Sequence, residues 1–549
     1  MRVQPAPCAV TVTSVDIGHQ RPADPARSGW AGGESIRDRF AGAPTAVAVL
    51  VALSVVVLGT VGGDARWLGV LGRIVASSRH IPRGIPFAEA PTSAWHNVPV
   101  LAELLFAGVM TLGGDHGLLL TQAAAATVAL LVLARDARRE GAADQSVALV
   151  LLLVAFGCST TLLIARLQLF SLVLFPVELA LLRAETRRPS WRIWLLIPLL
   201  ALWSNLHGAA LVGLAVAASY LLLQLGRQRP IRAAVVGGAG GLALCLTPAL
   251  AATPAYYLGV LGNETARQHV GLWAHLTLRS PFDVALLLAA CALLPALRRA
   301  RPRVWEITAL LGLAAMTAET SRNGVWLLFA AAIPAADGWR REHSGPVLDS
   351  RGLSVAPLVW TAAAAMAFLG CARGLSLADG TPPLVAAAVR EAAGGPVAAE
   401  GVLSEQVVAA GGRVWLTNPL DAFSDVDQRR YVRWSETGEV QMLPPFSLIV
   451  VVRPGSAAAA ALDACPLFQR LAADHDAAVF RRASSSVSGC ESEVGNGPRA
   501  WGAESSHILI DKLSGNLAAA ASERRNGPIS RLGRGTPLTT MRDTHTRAV

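Results

Sequence analysis

Lysine is almost missing from this chain: Lys512 is the single one in 549 residues, and every other basic side chain is arginine. Charge of either sign is scarce, at 16% of residues, where a soluble domain carries about 25%. That deficit excludes a single soluble domain, a coiled coil and a disordered chain. The seven cysteines form no C-x-x-C pair, and no His/Cys/Asp/Glu spacing resembles a zinc site. No Walker loop, G-x-G-x-x-G or G-x-S-x-G occurs, so soluble nucleotide chemistry has no support. What the chain has in abundance is apolar sequence, 53% of residues, with a mean hydropathy of +0.44. This is the composition of a polytopic membrane protein with modest soluble parts. The net charge of +10 does not point to nucleic acid, because the arginines stand between apolar runs, as membrane topology demands.

Residues 1–43 are polar and rich in Pro and Arg, and read as a disordered cytoplasmic tail. The first span is expected at 44–61, with Arg37 and Arg39 on its cytoplasmic side. The run 99–112 would cover only ~21 Å of a ~30 Å hydrocarbon core and carries Glu103, so it is expected to lie in the interface. Further spans are expected at 117–134, 145–164, 168–182, 193–204, 208–226, 233–251, 282–297, 305–318, 324–337 and 353–371, about eleven in all. In this count the arginine clusters at 183–192, 227–232, 298–303 and 340–341 all face the cytoplasm; counting 99–112 as a span would put them outside. No charged residue stands convincingly at mid-span, and no repeat is visible, which argues against a transporter.

An odd number of spans places the remainder outside. The fold expected is therefore an all-α polytopic membrane protein with a small extracytoplasmic α/β domain. The domains would be the tail 1–43, a membrane domain 44–373 with its first outer loop at 62–116, an α/β domain at 374–482, and a disordered tail at 483–549. In the α/β part, 413–417, 447–452 and 477–481 read as strands and 425–434 as a helix, while Pro454-Gly455-Ser456 opens an alanine-rich helix. A disulfide between Cys465 and Cys490 is open on this side of the membrane.

Ionisable groups at the ends of spans are costly and need a reason. Five such segments converge on the outer face. The first holds Asp64, Arg66, Trp95, Asn97 and Glu103. Asp64, just past the first span, is placed to be a general base toward a hydroxyl or else to cap the helix beginning at Ala65. The second is Arg166, Gln168 and Ser171; a lone outer arginine either pairs with a phosphate or snorkels to headgroups. The third is Trp203, Asn205 and His207, the fourth the loop 252–281 with its Tyr, Trp and His residues, and the fifth Glu319 with Arg322. Asp64, Glu89 and Glu103 offer oxygens to a divalent metal, although nothing in the residues requires a cofactor.

Taken in order, these motifs resemble bacterial multi-spanning proteins related to the GT-C glycosyltransferases, of the polyprenol-phosphate-mannose-dependent kind. The resemblance rests on Asp64, Gly72, Ile81-Pro82, Trp95-His96-Asn97 and Glu103, and on Arg166, Gln168, Leu169, Phe170 and Ser171. It continues through Trp203, Asn205, Leu206, His207 and Gly208, Arg322, and Val450-Val451-Val452 followed by Pro454-Gly455-Ser456. It covers roughly 44–482. It implies a plasma-membrane glycosyltransferase moving a sugar from a polyprenyl phosphate to an envelope glycan, lipid or protein on the outer face. Asp64 would be the catalytic residue, with Arg66, Trp95, Asn97, Glu103, Arg166, Gln168, Trp203, Asn205, His207 and Arg322 binding substrate. Leu68, Val98-Pro99 and Leu272 stand where relatives often carry polar groups. The alternative is accordingly a non-catalytic scaffold or lipid-binding protein of the envelope with the same fold.

Overall fold

The computed structural model describes residues 42–92, 94–342, 355–372 and 382–483. Cys490 and nearly all of both expected tails lie outside these residues.

Apolar helices occupy the expected stretches. They begin with α1 (Ala43–Leu58), followed by the short strand β1 (Thr60–Val61) and α2 (Ala65–Ser78). Next come α3 (Val100–Arg139), α4 (Asp144–Gly157), α5 (Ser159–Leu163), strand β2 (Ile164–Ala165) and α6 (Leu169–Arg187). Then follow α7 (Leu196–Ser204), α8 (Ala210–Tyr220, continuing to Gln228), α9 (Pro230–Ala243), α10 (Thr253–Leu261) and α11 (Glu264–Arg267). The bundle closes with α12 (Pro281–Ala300), α13 (Val304–Glu319), α14 (Gly324–Glu342) and α15 (Val355–Ala372). Among the described residues, four helices are long and apolar enough to cross a membrane: Val100–Arg139, Ala210–Gln228, Pro281–Ala300 and Val355–Ala372.

The run expected to lie in the interface and the span after it form one 40-residue stretch, interrupted at Gly114, whose φ of 55° and ψ of −143° are not helical. Glycine alone reaches that backbone region cheaply, so the sequence marks the break. The segment before it packs along α2, and glycines set the distance. A Cβ at Gly72 would collide with the Glu103 carbonyl, and one at Gly69 with Met110.

The bundle core is built from Ala, Val and Leu, with aromatic anchors at Phe175, Trp203, Trp305 and Trp326. Small residues let the helices approach closely, as in lipid-embedded bundles: a Cβ at Gly338 would strike the Ala296 backbone.

After α15 come α16 (Pro383–Glu391), β3 (Pro396–Ala399), α17 (Val402–Ala409), β4 (Arg413–Val414) and α18 (Asp425–Thr437). The described residues end in β5 (Ile449–Val452), α19 (Ala457–Ala464), β6 (Phe468–Ala473) and β7 (Ala478–Arg482). The strands form one mixed sheet in the order β4-β3-β5-β7-β6. β3 is parallel to β4 and β5, and β7 is antiparallel to β5 and β6. All four residues of β5 are buried, which explains the unbroken apolar run. Ser456 caps α19 by accepting from the Ala459 N–H at 3.1 Å, the turn read from Pro454-Gly455-Ser456.

The sheet does not keep its core to itself. Val397, Val407, Trp415, Trp434 and Val450 share one buried cluster with Trp67, Leu68, Leu71, Phe87 and Trp95 of the first outer loop. That loop also extends the sheet: Val414 N–H donates to Phe87 O at 3.0 Å and Glu89 N–H to Val414 O at 2.8 Å. The separate domain expected from 374 onward therefore shares a continuous core with 62–116.

Candidate functional site

Four helix ends meet beneath the sheet. β1 and β2 pair in parallel, Thr60 with Ile164 and Val61 with Ala165. This sets the end of α1 beside the start of α6, and so brings Asp64 and Arg166 together. The α7–α8 turn adds His207 and the α13–α14 turn adds Arg322. All four line one cavity of about 590 Å³, together with Trp95, Gln168, Tyr256, Trp273 and Asp421. Toward the bundle its walls become apolar, with Leu211, Val212, Val260, Leu286, Met316 and Trp326.

Asp64 precedes α2 but makes no side-chain cap. Its left-handed φ of 78° is a conformation that Asp tolerates better than most residues. Its backbone N–H donates to Glu405 Oε1 at 2.7 Å, and its Oδ1 accepts a long bond from Trp67 Nε1 at 3.4 Å. The carboxylate is thus left for other work. Glu405, from α17, is fully buried and also accepts from Asn418 Nδ2 at 2.9 Å. Burial pushes its carboxyl up to about 7, with the charge of Asp64 adding to the effect. Asp421 accepts from Trp95 Nε1 at 3.3 Å, and burial first, then Asp64, pushes it up to about 6.

Arg166 has no hydrogen bond or ion pair among the described residues. Arg322 lies over the Trp273 ring, 4.7 Å from its centroid. Burial and the nearby Arg166 bring it down to about 10. Among the described residues neither forms an ion pair, although the Asp64 charge acts on Arg322; two cations held close in this way form a pocket for an anion.

His207 is held in one tautomer. Trp203 Nε1–H donates to Ser171 Oγ at 2.6 Å, and that oxygen lies 2.6 Å from His207 Nδ1. The Ala209 N–H also points at Nδ1, at 3.4 Å. An N–H donor aimed at Nδ1 makes it an acceptor and leaves the proton on Nε2. Burial, then Arg322 and Arg166, bring His207 down to about 3, so it serves as a neutral donor.

The other expected site residues stand behind this wall. Trp203 is fully buried; its carbonyl accepts from the His207 N–H at 2.8 Å, and its indole reaches the His207 ring through Ser171. Asn205 donates to Ala201 O at 2.8 Å and to Leu246 O at 2.7 Å, tying α7 to the chain after α9. Arg66 forms a buried ion pair with Asp115 at 2.6 Å, just beyond the Gly114 break. Asn97 donates to Glu103 at 2.8 Å, both buried. Glu89, read as an oxygen donor for a metal, pairs instead with Arg413 at 2.5 Å. Glu405, Asn418 and Asp421 were not singled out from sequence: they sit in ordinary polar stretches, and only the sheet's return over the bundle brings them in. A buried acid also stands within the bundle, against expectation. Glu178, on α6, is fully buried near Trp203 and Gly213, and among the described residues neither of its oxygens has a hydrogen-bond partner.

Fold and site together define a bundle of apolar helices, some long enough to cross a membrane, with an α/β layer packed over a charged cavity that has apolar inner walls. No family model matches the chain, and no curated protein does. Among solved structures, ArnT from Cupriavidus metallidurans bound to undecaprenyl phosphate aligns with 82% of this chain and 98% of that one, at 15% identity and a TM-score of 0.47. A likeness of that degree bears on neither chemistry nor substrate.

Proposed function

We propose that this protein is an integral membrane glycosyltransferase that moves a sugar from a polyprenyl phosphate to an envelope acceptor on the outer face. The observation that carries the reading is the meeting of Asp64, Arg166, His207 and Arg322, from four separate helix ends, on one cavity that runs on between apolar walls.

Asp64 takes the proton of the acceptor hydroxyl as its oxygen attacks the anomeric carbon. The bond from that carbon to the phosphate oxygen breaks, and the lipid phosphate leaves with the electron pair. Arg166 and Arg322 stabilise its developing charge, and His207 Nε2–H donates to phosphate or sugar. One base serving one displacement inverts the anomeric centre. The apolar walls hold prenyl carbons at ~0.8 kcal/mol per buried CH₂.

In proteoliposomes supplied with labelled lipid-linked sugar and envelope acceptor, Asp64→Asn is expected to cut transfer by about 10²–10⁴-fold without unfolding the protein. Full transfer by that variant would sink catalysis and leave the scaffold reading, under which deletion of 384–482 abolishes function and Asp64→Asn does not. Topology is tested separately. A cysteine replacing the exposed His475 should react with a membrane-impermeant thiol reagent in intact cells. Labelling only after lysis would place the α/β layer in the cytoplasm and overturn the reading.

A further inference from the structure

Beside the cavity lies a second constellation that the transfer reaction does not use. His269 and His275 sit on the loop between α11 and α12, with their rings stacked 3.8 Å apart at 25°. Glu319, which ends α13, faces them. Each residue offers one ligand atom, and all three such atoms lie within 4.8 Å of one another. We propose that His269, His275 and Glu319 bind one divalent transition-metal ion of the zinc type, which fastens the loop carrying Trp273 to the turn carrying Arg322.

The donor set favours such an ion. Two imidazole nitrogens and one carboxylate oxygen suit zinc, whereas magnesium and calcium take oxygen ligands. Three protein ligands leave one position for water. One pair already stands at a separation an ion can bridge. His269 Nδ1 lies 3.8 Å from Glu319 Oε1, too far for a hydrogen bond. An ion with bonds of about 2.0–2.1 Å bridges that gap at a bent angle.

His275 is oriented for the task. Its Nδ1 stands 2.9 Å from the Glu319 backbone oxygen. A carbonyl only accepts, so Nδ1 carries the proton and the Nε2 lone pair is free for a metal. Holding a ligating imidazole through its other N–H is the usual second contact in zinc sites. The Glu319 side chain is 67% exposed and that of His269 36%, so an ion enters from solvent.

Both fastened segments reach the cavity. Trp273 stands between the two histidines in sequence, Arg322 lies three residues past Glu319, and their side chains stack. Ser321 N–H also donates to Ala274 O at 3.4 Å. Metal at this rim would hold the Arg322–Trp273 pair in place. The binding claim is independent of the proposed reaction; only an effect on transfer rests on it.

The test uses untagged, full-length protein, stripped with chelator and held in detergent. Calorimetric titration with Zn²⁺ should show one equivalent, weakened by about 100-fold in His275→Ala and by about 10-fold in Glu319→Gln. Co²⁺ bound in place of zinc should show the visible bands of a four-coordinate site, lost in His269→Ala. Metal-free variants should unfold at the metal-free parent's temperature. If His275→Ala does not, His269→Gln with Glu319→Gln replaces it. No stoichiometric binding by the parent, or equal binding by variants lacking both histidines, would overturn the proposal.

Discussion

Arg166, just before α6, and Arg183, near its far end, are used in opposite ways. Arg183 is 3% exposed, forms an ion pair with Glu306 at 3.0 Å, and lies 3.9 Å from Asp136. Asp136 also takes Arg187 at 3.0 Å, and Arg187 reaches Glu140. This network ties α3, α6 and α13 together at one end of the bundle. About 20 Å away, counting the rise along α6, Arg166 and Arg322 face the cavity with no carboxylate among the described residues bonded to either. A charge that serves the fold is matched where it is buried, because an unmatched one costs several kcal/mol. A charge that serves a ligand is left open, and its cost is met by the surrounding packing.

The comparison breaks most sharply at the matched end. Arg183→Ala leaves Asp136 and Glu306 buried without that cation, and should destabilise by about 3–5 kcal/mol. Thermal unfolding in detergent checks this, and surviving protein should transfer sugar at the parent rate. Arg166→Ala should do the reverse, lowering transfer by about 10²–10³-fold with little change in unfolding temperature. Similar unfolding losses in both variants would erase the distinction. Gly72→Ala forces a methyl group into the Glu103 backbone and should cost about 1–3 kcal/mol. Because α2 carries Asp64 at its start, transfer should fall with stability.

The smallest effect concerns Glu405. Its folded value, about 7, lies above the ordinary 4.5, so between these values the folded state holds the proton more tightly than the unfolded chain. Stability from this group is full below about 4.5 and declines as pH rises through 7. Glu405→Gln keeps an acceptor for the Asp64 N–H and removes the titration. The variant should therefore gain on the parent between pH 5.5 and 8, as unfolding temperatures at the two pH values would show. An unchanged difference would place the Glu405 titration elsewhere.

Much of the cavity was legible in the residues. Asp64, Arg166, His207 and Arg322 stood out because polar groups at the ends of apolar runs are expensive. Trp203 and Asn205 were found for the same reason, yet they act as supports: the indole fixes Ser171 and through it His207, while the amide bonds two carbonyls. Sequence spacing cannot separate a wall residue from its support, since both must be polar at a helix end. Glu405 and Asp421 left no signal, because their stretches read as ordinary soluble protein. The His269, His275 and Glu319 cluster was equally hidden, its members lying on two loops joined only when α12 and α13 fold back.

What the amino-acid sequence determined alone was local and periodic: which runs are apolar, where Gly114 breaks a helix, where Ser456 starts one, and where the charges stand. Each follows from hydrophobic pattern or backbone freedom within a few residues. Which charges are matched and which stay open was decided only by tertiary structure. Matching depends on distances between segments far apart in the chain, and those are set when the helices pack and the sheet closes over them.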